Sequence, residues 1–168
     1  MLIILFSCQK KRQSNVQADS TKVNTSINHD YLENSENSTH DKFDAISCDL
    51  DGDKKTDIVR LTIGPINKKS GLEITFGNGQ VSKLGFGEQV LDQGFDNFDW
   101  VGIFEKVQKG QLTWCNVNQD GEILPEDKIA EHDKILLPND GIFVHQDESC
   151  GGGIIYFDKS KFNWIQRE

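Results

Sequence analysis

Between Asp49 and Asp57 the chain reads DLDGDKKTD, with aspartates at positions one, three, five and nine of the stretch and a glycine at position four. Carboxylates this close repel one another unless a cation or a set of N–H donors offsets their charge. Side chains at one, three and five of a tight loop converge, and hard oxygen ligands in a flexible cage suit calcium, which takes about six to eight of them. The ligands read from this spacing are the carboxylates of Asp49, Asp51, Asp53 and Asp57, with the backbone carbonyl of Lys55 in the seventh position. Magnesium demands stricter octahedral geometry and keeps its waters. Zinc would want Cys or His, and only Cys48 adjoins the loop. An Asp-rich surface turn accounts for one or two such residues, because Asp bonds its own backbone, but poorly for four at ligand spacing.

Extended to DLDGDKKTDIV, the stretch resembles the calcium loop of FG-GAP or VCBS-type repeats, where D-x-D/N-G-D-G-x-x-D-hydrophobic sits between two strands. Such loops occur in integrin α-subunit propellers and in bacterial exported proteins. The resemblance implies a calcium ion held in a strand-loop-strand hairpin. Lys54 stands where the pattern has glycine, a position that favours a left-handed backbone and costs a non-glycine residue on the order of 1 kcal/mol. A closed propeller needs several copies, and this chain has one, so the resemblance carries the hairpin and not the architecture. From the loop through SCGGGIIYFDKSKFNWIQ the chain also resembles small bacterial lipoproteins bearing the same loop, a likeness that implies no activity.

Two other stretches could do chemistry. In NVNQDGEILPED, Asn116, Asn118, Asp120 and Asp127 fall at EF-hand positions one, three, five and twelve. An Asn in first place, Asp instead of a bidentate Glu in last place, and the intervening Pro125 favour a hairpin turn there over a second calcium site. In VHQDESCGGG, His145 and Cys150 offer a base and a nucleophile, with Gly151 to Gly153 as backbone donors. Near neighbours on a strand and its turn seldom converge, however, and the glycines equally suit a bulge or tight turn. A thiol-dependent hydrolase is therefore the weaker reading, and the chain is expected not to be an enzyme. Zinc held by His145 and Cys150 is weaker still.

The elements that position these residues read as strands and turns. IVRLTI and GLEITF alternate, with Val59, Leu61 and Ile63, then Leu72, Ile74 and Phe76, each on one face. GLEITF and VSKLGF are separated by GNGQ, whose Asn78-Gly79 is a strong hairpin signal. QLTWCNV, KILL, GIFVHQ, GGIIYF and KFNWIQ follow, separated by NQDG, PNDG and DKSK. The pattern predicts an all-β, mainly antiparallel domain, a small sandwich or open barrel. At most one or two short helices are expected, in GEQVLDQGFDNFDW or after Pro125. The aromatics, among them Phe95, Trp100 and Trp164, are expected to pack in the core.

The chain opens MLIILFSCQKKRQS, an apolar run too short to span a bilayer, which needs roughly 20 residues. LFSC resembles a bacterial lipobox, so residues 1–8 read as the remnant of a lipoprotein signal peptide and Cys8 as the lipid-attachment residue. Lys10, Lys11 and Arg12 would add roughly 1 kcal/mol each at an anionic surface. Residues 9–42 are rich in Asn, Ser and Thr and nearly empty of aliphatic side chains, the composition of a disordered tether. They balance five acidic residues (Asp19, Asp30, Glu33, Glu36, Asp41) against five basic ones (Lys10, Lys11, Arg12, Lys22, Lys42), so the net charge of −9 falls on residues 43–168. That balance repels phosphate backbones and argues against nucleic acid as a partner.

These readings converge on a non-enzymatic protein anchored by lipid to a membrane of the bacterial cell envelope, facing the periplasm or the cell surface. It would carry one structural calcium and bind a protein or a glycan. An immunity or inhibitor protein against a basic toxin or envelope enzyme is the alternative that the acidic charge suits. Cys48, Cys115 and Cys150 allow either one disulfide in an oxidising compartment, with the pairing open, or three buried, reduced thiols.

Overall fold

The computed structural model describes residues 43–148 and 151–168. Residues 1–42, where the signal remnant ending at Cys8 and the tether are expected, and Cys150 lie outside the described residues. The strands are β1 (Ile46–Cys48), β2 (Asp57–Ile63), β3 (Ser70–Thr75), β4 (Val81–Gly85), β5 (Val101–Val107), β6 (Leu112–Thr113), β7 (Ile135–Leu136), β8 (Gly141–Gln146), β9 (Gly152–Asp158) and β10 (Lys161–Gln166). One antiparallel sheet runs β1-β2-β3-β4 in chain order, a second runs β10-β9-β8-β5, and β6 and β7 form a two-stranded ribbon. No helix among the described residues is long and apolar enough to cross a membrane.

The period-two pattern explains how the sheets meet. Val59 pairs with Ile74 and Leu61 with Leu72, and all four are buried. Arg60 and Glu73 pair on the opposite face, where Glu73 also takes an ion pair from Lys83 at 2.9 Å. The second sheet offers Phe104, Ile142, Val144 and Ile155 to the same core, so the two open sheets form a sandwich and not a barrel. Burying one such aliphatic side chain contributes roughly 1.5–3 kcal/mol. The outer face of the second sheet is covered as well. Val107, Ile154 and Ile165 pack there with Leu137, and Cys115, Phe143 and Tyr156 close over them.

The turns follow their chemistry. In GNGQ the Gly79 N–H donates to the Phe76 carbonyl at 2.8 Å and the Asn78 side chain accepts the Gln80 N–H at 2.8 Å. Between β9 and β10 both Lys159 (φ 49°) and Ser160 (φ 65°) are left-handed, the two-residue geometry that matches strand twist. Pro125 leads into two single 3-10 turns, Glu126–Lys128 and Glu131–Asp133, the only helical structure among the described residues. GEQVLDQGFDNFDW forms no helix. Leu91, Asp92 and Gly94 all have positive φ, which breaks an i to i−4 ladder, and the segment is instead pinned by the Phe98 N–H on the buried Ser70 hydroxyl at 3.0 Å. Ile63, expected inside, ends its strand 40% exposed.

Candidate metal centre

The aspartate loop joins β1 to β2. Asp57 is the first residue of β2 and pairs with Cys48 at the end of β1, so both ends of the loop are fixed by the sheet. Asp57 is completely buried. Its Oδ2 accepts the Leu50 N–H at 2.7 Å and its Oδ1 accepts the Gly77 N–H at 2.8 Å. Burial above all, joined by the nearby charge of Asp51, leaves its pKa raised in spite of these donors. The charged form is thus under-compensated, which is the condition a cation relieves.

Asp49, Asp51 and Asp57 converge, each offering a carboxylate oxygen, and those oxygens lie within 4.8 Å of one another. Asp49 shapes the loop as well, since its Oδ1 accepts from the Gly52 N–H at 2.8 Å and its Oδ2 from the Lys54 N–H at 3.2 Å. Asp51 accepts the Asp53 N–H at 3.1 Å. Asp53 stands outside the trio. Its Oδ1 accepts the Lys55 N–H at 2.7 Å and its Oδ2 pairs with the Lys55 ammonium at 3.2 Å. These contacts, the backbone bond first, hold its carboxyl below the usual range. Lys54 adopts φ 68°, the left-handed conformation expected at that position.

Two residues that sequence reasoning passed over support the loop from the turn before β8. Asp140 accepts the Asp49 N–H at 3.0 Å and the Lys109 N–H at 3.0 Å, and pairs with Lys106 at 3.2 Å. Burial pushes its carboxyl up, but those partners outweigh it and hold the group below the ordinary carboxylate value. Asn139 presses on Gly52 (φ 79°), where a Cβ would come within 2.4 Å of the amide oxygen. The motif PNDG signalled only a turn. Asp51 also opens onto a groove of about 630 Å³, together with Phe76, Asn139, Phe157, Lys161 and Phe162.

The remaining predicted residues are placed elsewhere. Asn116 is buried and clamps Glu168, donating to its carbonyl and accepting its N–H, each at 2.9 Å. The Asn118 side-chain oxygen accepts from the N–H groups of Asp120 and Glu122 at 2.9 and 2.8 Å. With Val117 bridged to Ile123, this is the hairpin turn the residue types favoured. Asp127 sits exposed in the first 3-10 turn. The His145 ring stacks on Phe143 at 5.5 Å, with Nδ1 at 2.7 Å from the Gln146 carbonyl and Nε2 at 3.6 Å from Glu168. Its pairing with Cys150 falls outside the described residues. Cys48 and Cys115 are free thiols, and Cys48 is pushed up to about 12 by burial first, then by the nearby charges of Asp57 and Asp140.

Comparisons of the chain with protein-family models, with curated proteins and with solved structures found no match.

Proposed function

We propose that this chain is a non-enzymatic binding protein of the bacterial cell envelope, lipid-anchored through Cys8, whose β-sandwich is held together by one calcium ion. The observation that carries the calcium reading is the convergence of Asp49, Asp51 and Asp57 around a carboxylate that is itself fully buried. All three are hard oxygen donors, the set calcium prefers, and the trio includes none of the Cys or His ligands that characterise zinc sites. Asp53 and the Lys55 carbonyl would complete the set that the FG-GAP or VCBS-type resemblance implies. The ion cancels like charges and locks the turn between β1 and β2. Its role is structural, and recognition of a protein or glycan partner falls to the rest of the surface. The anchor rests on LFSC and on the polar stretch that follows.

Thermal unfolding in calcium and in EGTA tests the ion. At about 100 times its dissociation constant, calcium stabilises a protein that binds it only when folded by roughly 2.7 kcal/mol. Asp51→Asn keeps an oxygen for the Asp53 N–H but removes a charged ligand, so the expected result is an unchanged midpoint in EGTA and loss of the calcium increment. A midpoint that saturating calcium leaves unmoved would refute the metal reading. For the anchor, Cys8→Ser is expected to move the protein from the membrane to the soluble fraction, and no change in partition would dismiss it.

A further inference from the structure

A second cavity, of about 250 Å³, is lined by Gln93, Phe95, Trp100, Gln146, Trp164 and Gln166. It shares no residue with the aspartate loop. Trp164 and Gln166 come from β10 and Gln146 from β8, while Gln93, Phe95 and Trp100 belong to the connection between β4 and β5.

The three rings brace one another. Phe95 meets Trp100 edge-on at 5.3 Å and 84°, and Trp164 at 5.7 Å and 66°. Trp164 lies on β9 at Gly153, where a Cβ would come within 2.3 Å of the indole. This assigns a purpose to part of the glycine run. The polar edges of both indoles are tied back, Trp100 Nε1 to the Asn97 carbonyl and Trp164 Nε1 to the Gln166 side chain, each at 3.0 Å. Both rings are half-buried, so their remaining surface is apolar and held in place.

The polar part of the lining consists of amides. Each Gln offers an acceptor oxygen with two lone pairs and two N–H donors. Gln93 spends one donor on the Leu91 carbonyl at 2.9 Å, and Gln166 spends one on Glu168 at 2.8 Å. Among the described residues no charged side chain lines the cavity, although the protein carries a net charge of −9. A phosphate or carboxylate would find no cation there, and an organic ammonium, which the indole faces could hold, would leave the three amides without hydrogen-bond partners. A wholly apolar ligand would desolvate three amides without replacing their hydrogen bonds, which is unfavourable. A sugar ring has both required parts, an apolar C–H face for the indoles and a rim of hydroxyls for the amides. The volume is below the roughly 300–1,000 Å³ of sites for drug-sized ligands, which suits one ring at a time.

We infer that this cleft binds a neutral sugar ring of a glycan. The inference rests on the reading of the chain as a binding protein and selects the glycan from the two partner classes named there. Its test is titration of the full-length protein with neutral oligosaccharides of glucose, mannose, galactose and N-acetylglucosamine, followed by calorimetry and tryptophan fluorescence. Millimolar or tighter binding to at least one of them is expected, with a change in fluorescence. Gln93→Ala, at an exposed position, is expected to weaken it about five-fold, the effect of one hydrogen bond. Trp100→Ala is expected to abolish it, and Trp100→Phe to weaken it if the alanine variant does not fold. Silence from every oligosaccharide, or binding that Gln93→Ala and Trp100→Phe both leave unchanged, overturns the inference. So does a protein partner lost in these variants while no glycan binds. Glycan binding that persists in EGTA supports the cleft whatever the fate of the metal reading.

Discussion

Asp49 and Asp140 hold each other through two hydrogen bonds, the Asp49 N–H donating to the Asp140 carboxylate at 3.0 Å and the Asp140 N–H to the Asp49 carbonyl at 3.1 Å. The pair joins the first residue of the aspartate loop to the turn before β8, so the loop is braced by the second sheet as well as by its own hairpin. Asp140→Ala leaves the N–H groups of Asp49 and Lys109 without their acceptor and removes the ion pair of Lys106. The expected loss is about 2 kcal/mol in urea unfolding, in calcium and in EGTA alike, because the clamp is protein to protein. Asp140→Asn keeps one acceptor oxygen and should fall between the two.

That clamp marks the limit of what local sequence shows. The alternation in IVRLTI and GLEITF placed β2 and β3 and their inward residues, because a strand's faces follow from a period of two. The spacing of the aspartates led to four carboxylates, of which Asp49, Asp51 and Asp57 converge. Asp53 has the same spacing but faces Lys55 instead, since an adjacent ammonium competes for it. Asp140 was illegible, as a contact between residues 91 apart leaves no periodic trace. GEQVLDQGFDNFDW had apolar residues at helical intervals, yet three left-handed residues decide its path.

Lys54 stands at φ 68°, where a side chain costs on the order of 1 kcal/mol or more relative to glycine. Lys54→Gly removes that cost, while the freer unfolded chain takes back part of it. The net expectation is a gain of about 0.5 kcal/mol in EGTA, with tighter calcium binding measured by calorimetry because one positive charge leaves the loop. A lower melting temperature would show that the lysine side chain stabilises the turn.

The Cys48 thiol is pushed up from its ordinary 9.0 to about 12 by burial and by the acidic groups around it. Its folded pKa lies above its unfolded one, so the native state holds the proton longer. Stability from this group is fully present below pH 9.0 and is lost as pH rises towards about 12. Urea midpoints of the wild type and of Cys48→Ala, compared across that window, should converge as the pH rises. Native-state alkylation at pH 8 should spare Cys48, which is only 5% exposed, until denaturant is added.

Gly153 lies between its neighbours on β8 and β10, opposite Val144 and Gln166. A Cβ there would come within 2.3 Å of the Trp164 ring and 2.7 Å of the Ile165 carbonyl. The carbonyl belongs to the paired strand and cannot withdraw, so the indole must move. Overpacking of this kind costs roughly 1–3 kcal/mol. Gly153→Ala is therefore expected to lower the melting temperature and to shift the tryptophan emission to longer wavelength as Trp164 leaves its shelter. The double variant Gly153→Ala with Trp164→Leu separates the two contacts. If the ring is the obstacle, adding Gly153→Ala to Trp164→Leu should cost clearly less than adding it to the wild type. An equal cost in both backgrounds would place the clash on the backbone carbonyl instead.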